Sequence, residues 1–205
     1  MDIQQLPRQV PQGQIKIENA LRTLLEQKDF NSITTAEIAR TSGVNEALIY
    51  RYFKDKRGLL HHVLANDLRA FVLRIKTGME GFNGALEKLH SLIRGHIQYY
   101  AENRIFAKIL LLEVRNYPAY FESETYRIVQ DYGKMILELI ETGVRAGDIR
   151  GDIPPYRIRQ VVLGGIEHLC LPGIIFGDNI PADQYADDLC EIISHGVSNK
   201  KTKEA

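Results

Sequence analysis

Residues 45–56 run Asn-Glu-Ala-Leu-Ile-Tyr-Arg-Tyr-Phe-Lys-Asp-Lys and gather side chains suited to one chemistry, the reading of a nucleic-acid duplex. Arg51 matches the O6/N7 edge of guanine, Glu46 can accept from a cytosine amine, and Ala47 or Leu48 can meet a thymine methyl. Asn45 either reaches a base or caps the helix that it precedes. Tyr50 and Tyr52 carry hydroxyls, Lys56 an ammonium and Thr35 a further hydroxyl. These groups suit phosphate oxygens, which set register without reading sequence. Plainer roles compete at each base-reading position: Glu46 repels wrong phosphates, and Arg51 holds a phosphate.

The elements that must position these groups are legible between Thr34 and Leu60. Thr34 is placed to cap a helix, with Glu37 three residues on as its capping-box partner. Ile38 and Ala39 form its apolar face. Gly43 supplies the sharp turn between crossed helices, where positive φ is needed. Val44 is the apolar plug, and a short helix follows that buries Leu48 or Ile49 together with Phe53. A short, polar-tipped helix after such a turn suits insertion into a major groove.

From about Ile15 to Val63 the chain resembles the DNA-binding domain of TetR-family (tetracycline-repressor-like) bacterial transcription regulators. The resemblance is carried by Ala20, Leu24, Phe30, Thr35, Ile38, Ala39, Gly43, Val44, Tyr50, Tyr52, Phe53, Lys56 and Leu60. Ala47 departs from the commoner Gly, Ser or Pro, and Arg57 from the usual acidic residue; neither breaks the turn or the apolar pattern. The resemblance implies phosphate contacts at Thr35, Tyr52 and Lys56. It also implies a homodimer addressing two inverted half-sites, and a body that binds a small molecule whose occupancy tilts the fourth helix. The resulting expectation is a ligand-responsive transcriptional regulator, most often a repressor in this family.

Composition fits this reading. The chain has 205 residues, 44% hydrophobic and 25% charged, with 26 basic and 26 acidic side chains. Residues 1–60 hold nine Lys/Arg against seven Asp/Glu, and Arg51, Lys54, Lys56 and Arg57 cluster around Asp55 alone. This modest excess implies weak, salt-dependent non-specific affinity for DNA. A constitutive architectural DNA protein would be far more basic. Cys170 and Cys190 form no CxxC pattern, which fits a reducing cytoplasm and excludes a disulfide framework. The N-terminus lacks the apolar core of a signal peptide, and no apolar run is read as a membrane span. No Gly-rich phosphate loop, GxSxG or HExxH motif is present, so neither an enzyme nor a cofactor or metal is expected.

Helix periodicity runs nearly throughout, and the expected fold class is all-α, with about nine helices. Residues 1–13 read as a flexible arm, 14–60 as a helix-turn-helix domain, 61–199 as an effector-binding and dimerisation domain, and 200–205 as a disordered tail. Helices are predicted at 14–27, 56–76, 85–101, 104–116, 118–146, 156–171 and 182–197, besides the two around the turn. Asp55 is the expected cap of the fourth, Gly147 ends the 118–146 helix, and Pro172-Gly173 ends the 156–171 helix. Because the head–body boundary falls within a continuous helix of about 30 Å, the two parts are expected to be mechanically coupled.

In the body, Tyr99, Tyr100, Phe106, Glu113, Tyr117, Phe121, Tyr126, Tyr132 and His168 are candidates for an amphipathic pocket, though aromatics at such spacing are more often core. His168 beside Glu167 and Cys170 is no metal set, because neighbouring helical positions diverge. Val161, Gly164, Gly165, Leu169, Leu189, Ile192 and Ile193 are the candidate dimer interface, with the glycines allowing close backbone approach. The stretch from Ile109 to Val129, followed by that from Glu141 to Ile153, is similar in flavour to family members that control lipid and fatty-acid degradation. That likeness suggests a fatty acid or acyl-CoA as the small hydrophobic effector, with drug-like hydrophobes as rivals. The competing function is an all-α lipid carrier that ignores DNA.

Overall fold

The structure, a computed structural model, describes residues 10–198 and is all-α. The expected 200–205 tail and most of the expected arm lie outside the described residues. Among those described, nine α-helices follow in order: α1 Gln12–Leu25, α2 Thr35–Ser42, α3 Ala47–Phe53, α4 Lys56–Met79, α5 Ala85–Glu102, α6 Arg104–Lys108, α7 Glu124–Ala146, α8 Pro155–Phe176 and α9 Ala182–Val197. The chain divides into two compact units between Ala65 and Asn66, inside α4.

Local chemistry explains the first unit. The Glu37 N–H donates to Thr34 Oγ1 at 3.2 Å, while the Glu37 carboxylate takes Lys28 Nζ. At the far end of α2, Gly43 has φ +66° and the Val44 N–H reaches back to the Ala39 carbonyl. That is the left-handed helix ending which glycine permits without strain. Asp55 caps α4 through Oδ1, which accepts from the Gly58 N–H at 2.7 Å. Gly58 is required there, because a Cβ at this position would lie 2.0 Å from the Phe53 carbonyl. Ile17, Leu21, Ile38, Ile49, Leu59 and Leu60 are almost wholly buried and form the centre of this unit.

The second unit departs from the predicted helices in three places. The 104–116 helix is broken: α6 gives way to a π-helical turn at Ile109–Glu113 and a 3₁₀ turn at Val114–Asn116. The 118–146 helix is a 3₁₀ turn, Pro118–Glu122, then α7, which Ser123 caps by accepting from the Tyr126 N–H. Finally α8 does not stop at Pro172 but runs on to Phe176, ending at Gly177. Pro172 removes only the bond to the residue-168 carbonyl, and both residues lie on an exposed face. Beyond it, Gly173 and Ile174 are buried, and a Cβ at Gly173 would lie 2.3 Å from Ile180.

The reading of no membrane-length segment also needs correction. At 22 residues, α8 is long and apolar enough to cross a bilayer by length and composition alone. Its inward face (Ile158, Val162, Ile166, Cys170 and Ile174) packs in the core of the second unit.

Candidate functional site

The first unit presents α3 with its apolar side buried and its polar side outward. Of the two alternatives for the inner position, Ile49 is fully buried beside Phe53, and Leu48 is half-buried against α1. The Tyr52 ring also lies near Gly13 of α1 and meets Phe53 edge-on at 6.1 Å, so it braces α3 as well as offering a hydroxyl. Asn45, Ala47, Tyr50 and Arg51 are exposed and Glu46 is half-buried. Asn45 Oδ1 accepts from the Ala47 N–H at 2.8 Å, which gives this residue the capping role. Tyr50 is 53% exposed, and its hydroxyl stands 3.4 Å from Thr35 Oγ1. Two hydroxyls from different helices therefore share one surface point, a geometry that can grip a phosphate.

Lys56 is placed differently from the phosphate role read in the sequence. Its Nζ donates to the carbonyls of Ile33 at 2.6 Å and Phe30 at 3.0 Å, and stands 4.4 Å over the Phe30 ring. Arg57 lies over the same ring. Lys56 is thus a clamp that ties the start of α4 to the turn leading into α2, and so sets the mutual placement of the helices around Gly43. A second exception is Lys54, at φ +72° between α3 and α4, the only non-glycine with positive φ among the described residues.

In the second unit the predicted pocket residues separate into two groups. Tyr99, Tyr100, Phe106 and Tyr132 are buried and meet around Phe71 and His96, with ring centroids 4.5–6.4 Å apart. Phe121 and Tyr126 belong to a separate cluster with Tyr120, at 5.1–5.3 Å. Glu113 and Tyr117 are half-buried. His168 is exposed on α8 and joins neither group. The residue that sequence reasoning missed is His96. Its signal was available, since it falls on the same face of α5 as Leu92, Ile93 and Tyr100.

His96 is buried, and burial lowers its pKa to about 3, so the ring is neutral. Nδ1 pairs with the Tyr132 hydroxyl at 3.1 Å, whereas Nε2 has no partner among the described residues. Either tautomer leaves Nε2 unmatched in an apolar surround, a cost that a ligand polar atom would relieve. Burial likewise raises the Tyr132 and Tyr100 pKa values, and the Glu167 charge adds to the effect at Tyr100. Both cysteines are buried and pushed up to about 11, which keeps them as thiols. No cluster of metal-ligating side chains occurs among the described residues.

The candidate dimer residues also divide. Leu189 and Ile193 are buried within the chain, and Gly165 packs on Leu189, where a Cβ would come within 2.9 Å. Gly165 and Leu189 serve the intrachain α8–α9 contact, and the apolar period 186, 189, 190, 193, 197 turns that side of α9, Ile193 included, inward. Val161 and Ile192 are 61% and 68% exposed, Gly164 has open space around it, and Leu169 is half-buried. Phe176, at 76% exposure, and Ile175 extend the outward apolar face at the end of α8.

Comparison with known proteins places this geometry. Residues 17–63 match the profile of "Bacterial regulatory proteins, tetR family", and residues 64–196 match "YsiA-like protein, C-terminal region". The fatty acid metabolism regulator protein of Bacillus subtilis is 21% identical over 91% of this chain and 96% of its own length. The structure is similar to that of the regulator FadR from Bacillus subtilis in complex with stearoyl-CoA, with TM-score 0.80 and 20% identity over 89% of this chain and 98% of that one. It is also similar to the fatty acid degradation regulator FadR from Bacillus halodurans, with TM-score 0.81 and 19% identity over 93% and 98% of the two chains.

Proposed function

The chain belongs to the TetR family of bacterial regulatory proteins, and we propose that this transcriptional regulator is a dimeric repressor released from an inverted-repeat operator by a long-chain acyl effector. One observation carries the DNA half of this reading. Helix α3 is anchored by Ile49 and Phe53 while Tyr50 and Arg51 are exposed and the Tyr50 hydroxyl stands beside that of Thr35. Two copies related by a two-fold axis, joined through the Val161, Gly164 and Ile192 face, would address two half-sites.

The effector half is supported by the buried aromatic cluster with its unmatched His96 Nε2, and by the likeness to regulators named for fatty acid metabolism. An apolar surround with one polar group is the composition that suits an acyl chain and its polar end. For release, the effector must favour the DNA-free state by more than it favours the bound one. Helix α4 belongs to both units and is the element through which occupancy would be felt. The site of action is the cytoplasm, where the DNA is.

The test is fluorescence anisotropy of duplexes from the intergenic DNA upstream of the protein's own gene, with and without dodecanoyl-CoA. Saturable binding that the thioester reverses supports the proposal. Ligand binding with no affinity for DNA at low salt would identify a carrier instead.

A further inference from the structure

Four cations, Arg51, Lys54, Lys56 and Arg57, surround Asp55 where α3 gives way to α4, and the fold divides them into two pairs. Lys56 Nζ is engaged by the Ile33 and Phe30 carbonyls at 2.6 and 3.0 Å. The Arg57 guanidinium lies 5.4 Å over the Phe30 ring, with Nη1 buried. Both side chains are half-buried and face into the first unit rather than towards a duplex. Arg51 and Lys54 are exposed instead, and neither has an ion-pair or side-chain hydrogen-bond partner among the described residues. Asp55 does not neutralise Lys54, because its Oδ1 caps α4 through the Gly58 N–H at 2.7 Å.

Lys54 is also held in an unfavourable backbone. At φ +72° and ψ −45° it lies in a region that crowds any Cβ. The chain has to reverse here in any case: the Lys54 N–H closes α3 on the Tyr50 carbonyl at 3.0 Å, and α4 begins two residues on. A glycine would make this reversal without strain. The other positive-φ positions of the described chain, which end α2, α7 and α8, are all glycines. Lys54 makes no polar side-chain contact within the described chain to offset the strain, so the use of its ammonium lies outside the protomer.

We propose that Lys54 holds a DNA phosphate at the C-terminal end of α3, in the backbone-binding role that the sequence pattern assigns to Lys56. The proposal rests on the reading of α3 as the DNA-facing helix and adds a contact to it. A lysine meets phosphate as a flexible point charge, so this contact raises affinity for every sequence and selects none. Arg51, the other unpartnered cation, is left for a base edge. Over the decade from 1 M to 0.1 M salt, one phosphate contact contributes about eightfold to affinity through counterion release. The residue that strains the fold thereby tightens the complex, and the two effects have opposite signs in one substitution.

The experiment is a salt series of fluorescence anisotropy on full-length wild type, Lys54→Gly, Lys54→Gln and Lys134→Gln. The probes are duplexes from the upstream intergenic DNA and a random duplex. Lys134 is an exposed lysine of α7 and controls for the loss of one charge at long range. Both Lys54 variants are expected to lower the slope of log K against log salt by about 0.9 per contact, or about 1.8 for two copies. Their losses should be the same factor on intergenic and random duplexes, while Lys134→Gln keeps the wild-type slope. Lys54→Gly should do this with a raised urea midpoint, which separates lost contact from lost folding. A wild-type slope in either Lys54 variant overturns the proposal and leaves the DNA reading of α3 standing. So does an equal change in Lys134→Gln, or a loss confined to the best intergenic sites, which would make Lys54 a reader of bases. Absence of wild-type binding to every duplex removes the proposal together with the reading that it rests on.

Discussion

Replacement of Lys56 by methionine separates two roles that a lysine at the start of α4 can have. The substitution keeps the apolar stem but removes the ammonium that donates to Ile33 O and Phe30 O. Two bonds from a charged donor, at about 1.5–3 kcal/mol each and reduced because solvent reaches the half-buried group, suggest a loss of about 2–3 kcal/mol. The contact with the Phe30 ring, at 4.4 Å, adds about 0.5–1 kcal/mol within the same range. Urea denaturation of the full chain should therefore show a lower midpoint for the transition of the first unit with an unchanged slope. Operator binding, measured by anisotropy where the variant is folded, should keep the wild-type dependence of log K on log salt. A phosphate contact would give the opposite pattern, with stability unchanged and the salt slope smaller by about 0.9 per Lys56 lost. That second pattern would refute the clamp.

Further outcomes follow from other positions. Lys54→Gly should stabilise the protein by about 1 kcal/mol in denaturant melts, because φ +72° strains any residue with a Cβ; a loss of stability would show that the Lys54 side chain matters more than its backbone. Val161→Glu combined with Ile192→Glu should convert a dimer to a monomer at micromolar concentration in sedimentation velocity without lowering helicity, and a persistent dimer would place the interface elsewhere. His96 stays neutral in the fold down to about pH 3, whereas its unfolded pKa is about 6.5. Between those values the unfolded state takes up the extra proton, so stability falls as the pH drops, by up to about 1.4 kcal/mol per pH unit from this group. In His96→Gln the slope of unfolding free energy against pH should shrink by about one proton between pH 4 and 6, and an unchanged slope would mean that His96 titrates normally in the fold.

What the sequence disclosed was set by distance along the chain. Caps and stops formed by neighbours within a few residues were legible: Thr34 on Glu37, Asn45 on Ala47, Asp55 on Gly58 and the glycine ending at Gly147. The all-α class followed from apolar period for the same reason. The partners of Lys56 lie 23 and 26 residues earlier, and no local pattern announces them. On α9, Leu189, Ile192 and Ile193 all look apolar in the sequence. Only packing against the rest of the fold shows that Leu189 and Ile193 turn inward while Ile192 does not. The break of the 104–116 helix into α, π and 3₁₀ turns was hidden because Ile109 to Leu112 is uniformly apolar and no glycine or proline breaker falls between Arg104 and Asn116. Pro172 misled in the opposite way: a strong local stop signal was overridden by buried neighbours at Gly173 and Ile174.

The central claim is that the outward face of α3 reads DNA. It is tested most directly by binding of the full-length wild type and Arg51→Ala to a library of duplexes from its upstream intergenic DNA. The account predicts saturable, sequence-selective wild-type binding, weakened in Arg51→Ala by about 1–3 kcal/mol on the best sites and far less on random ones. Wild-type binding that is equal across all sequences, or an Arg51→Ala profile that coincides with it, would contradict the claim.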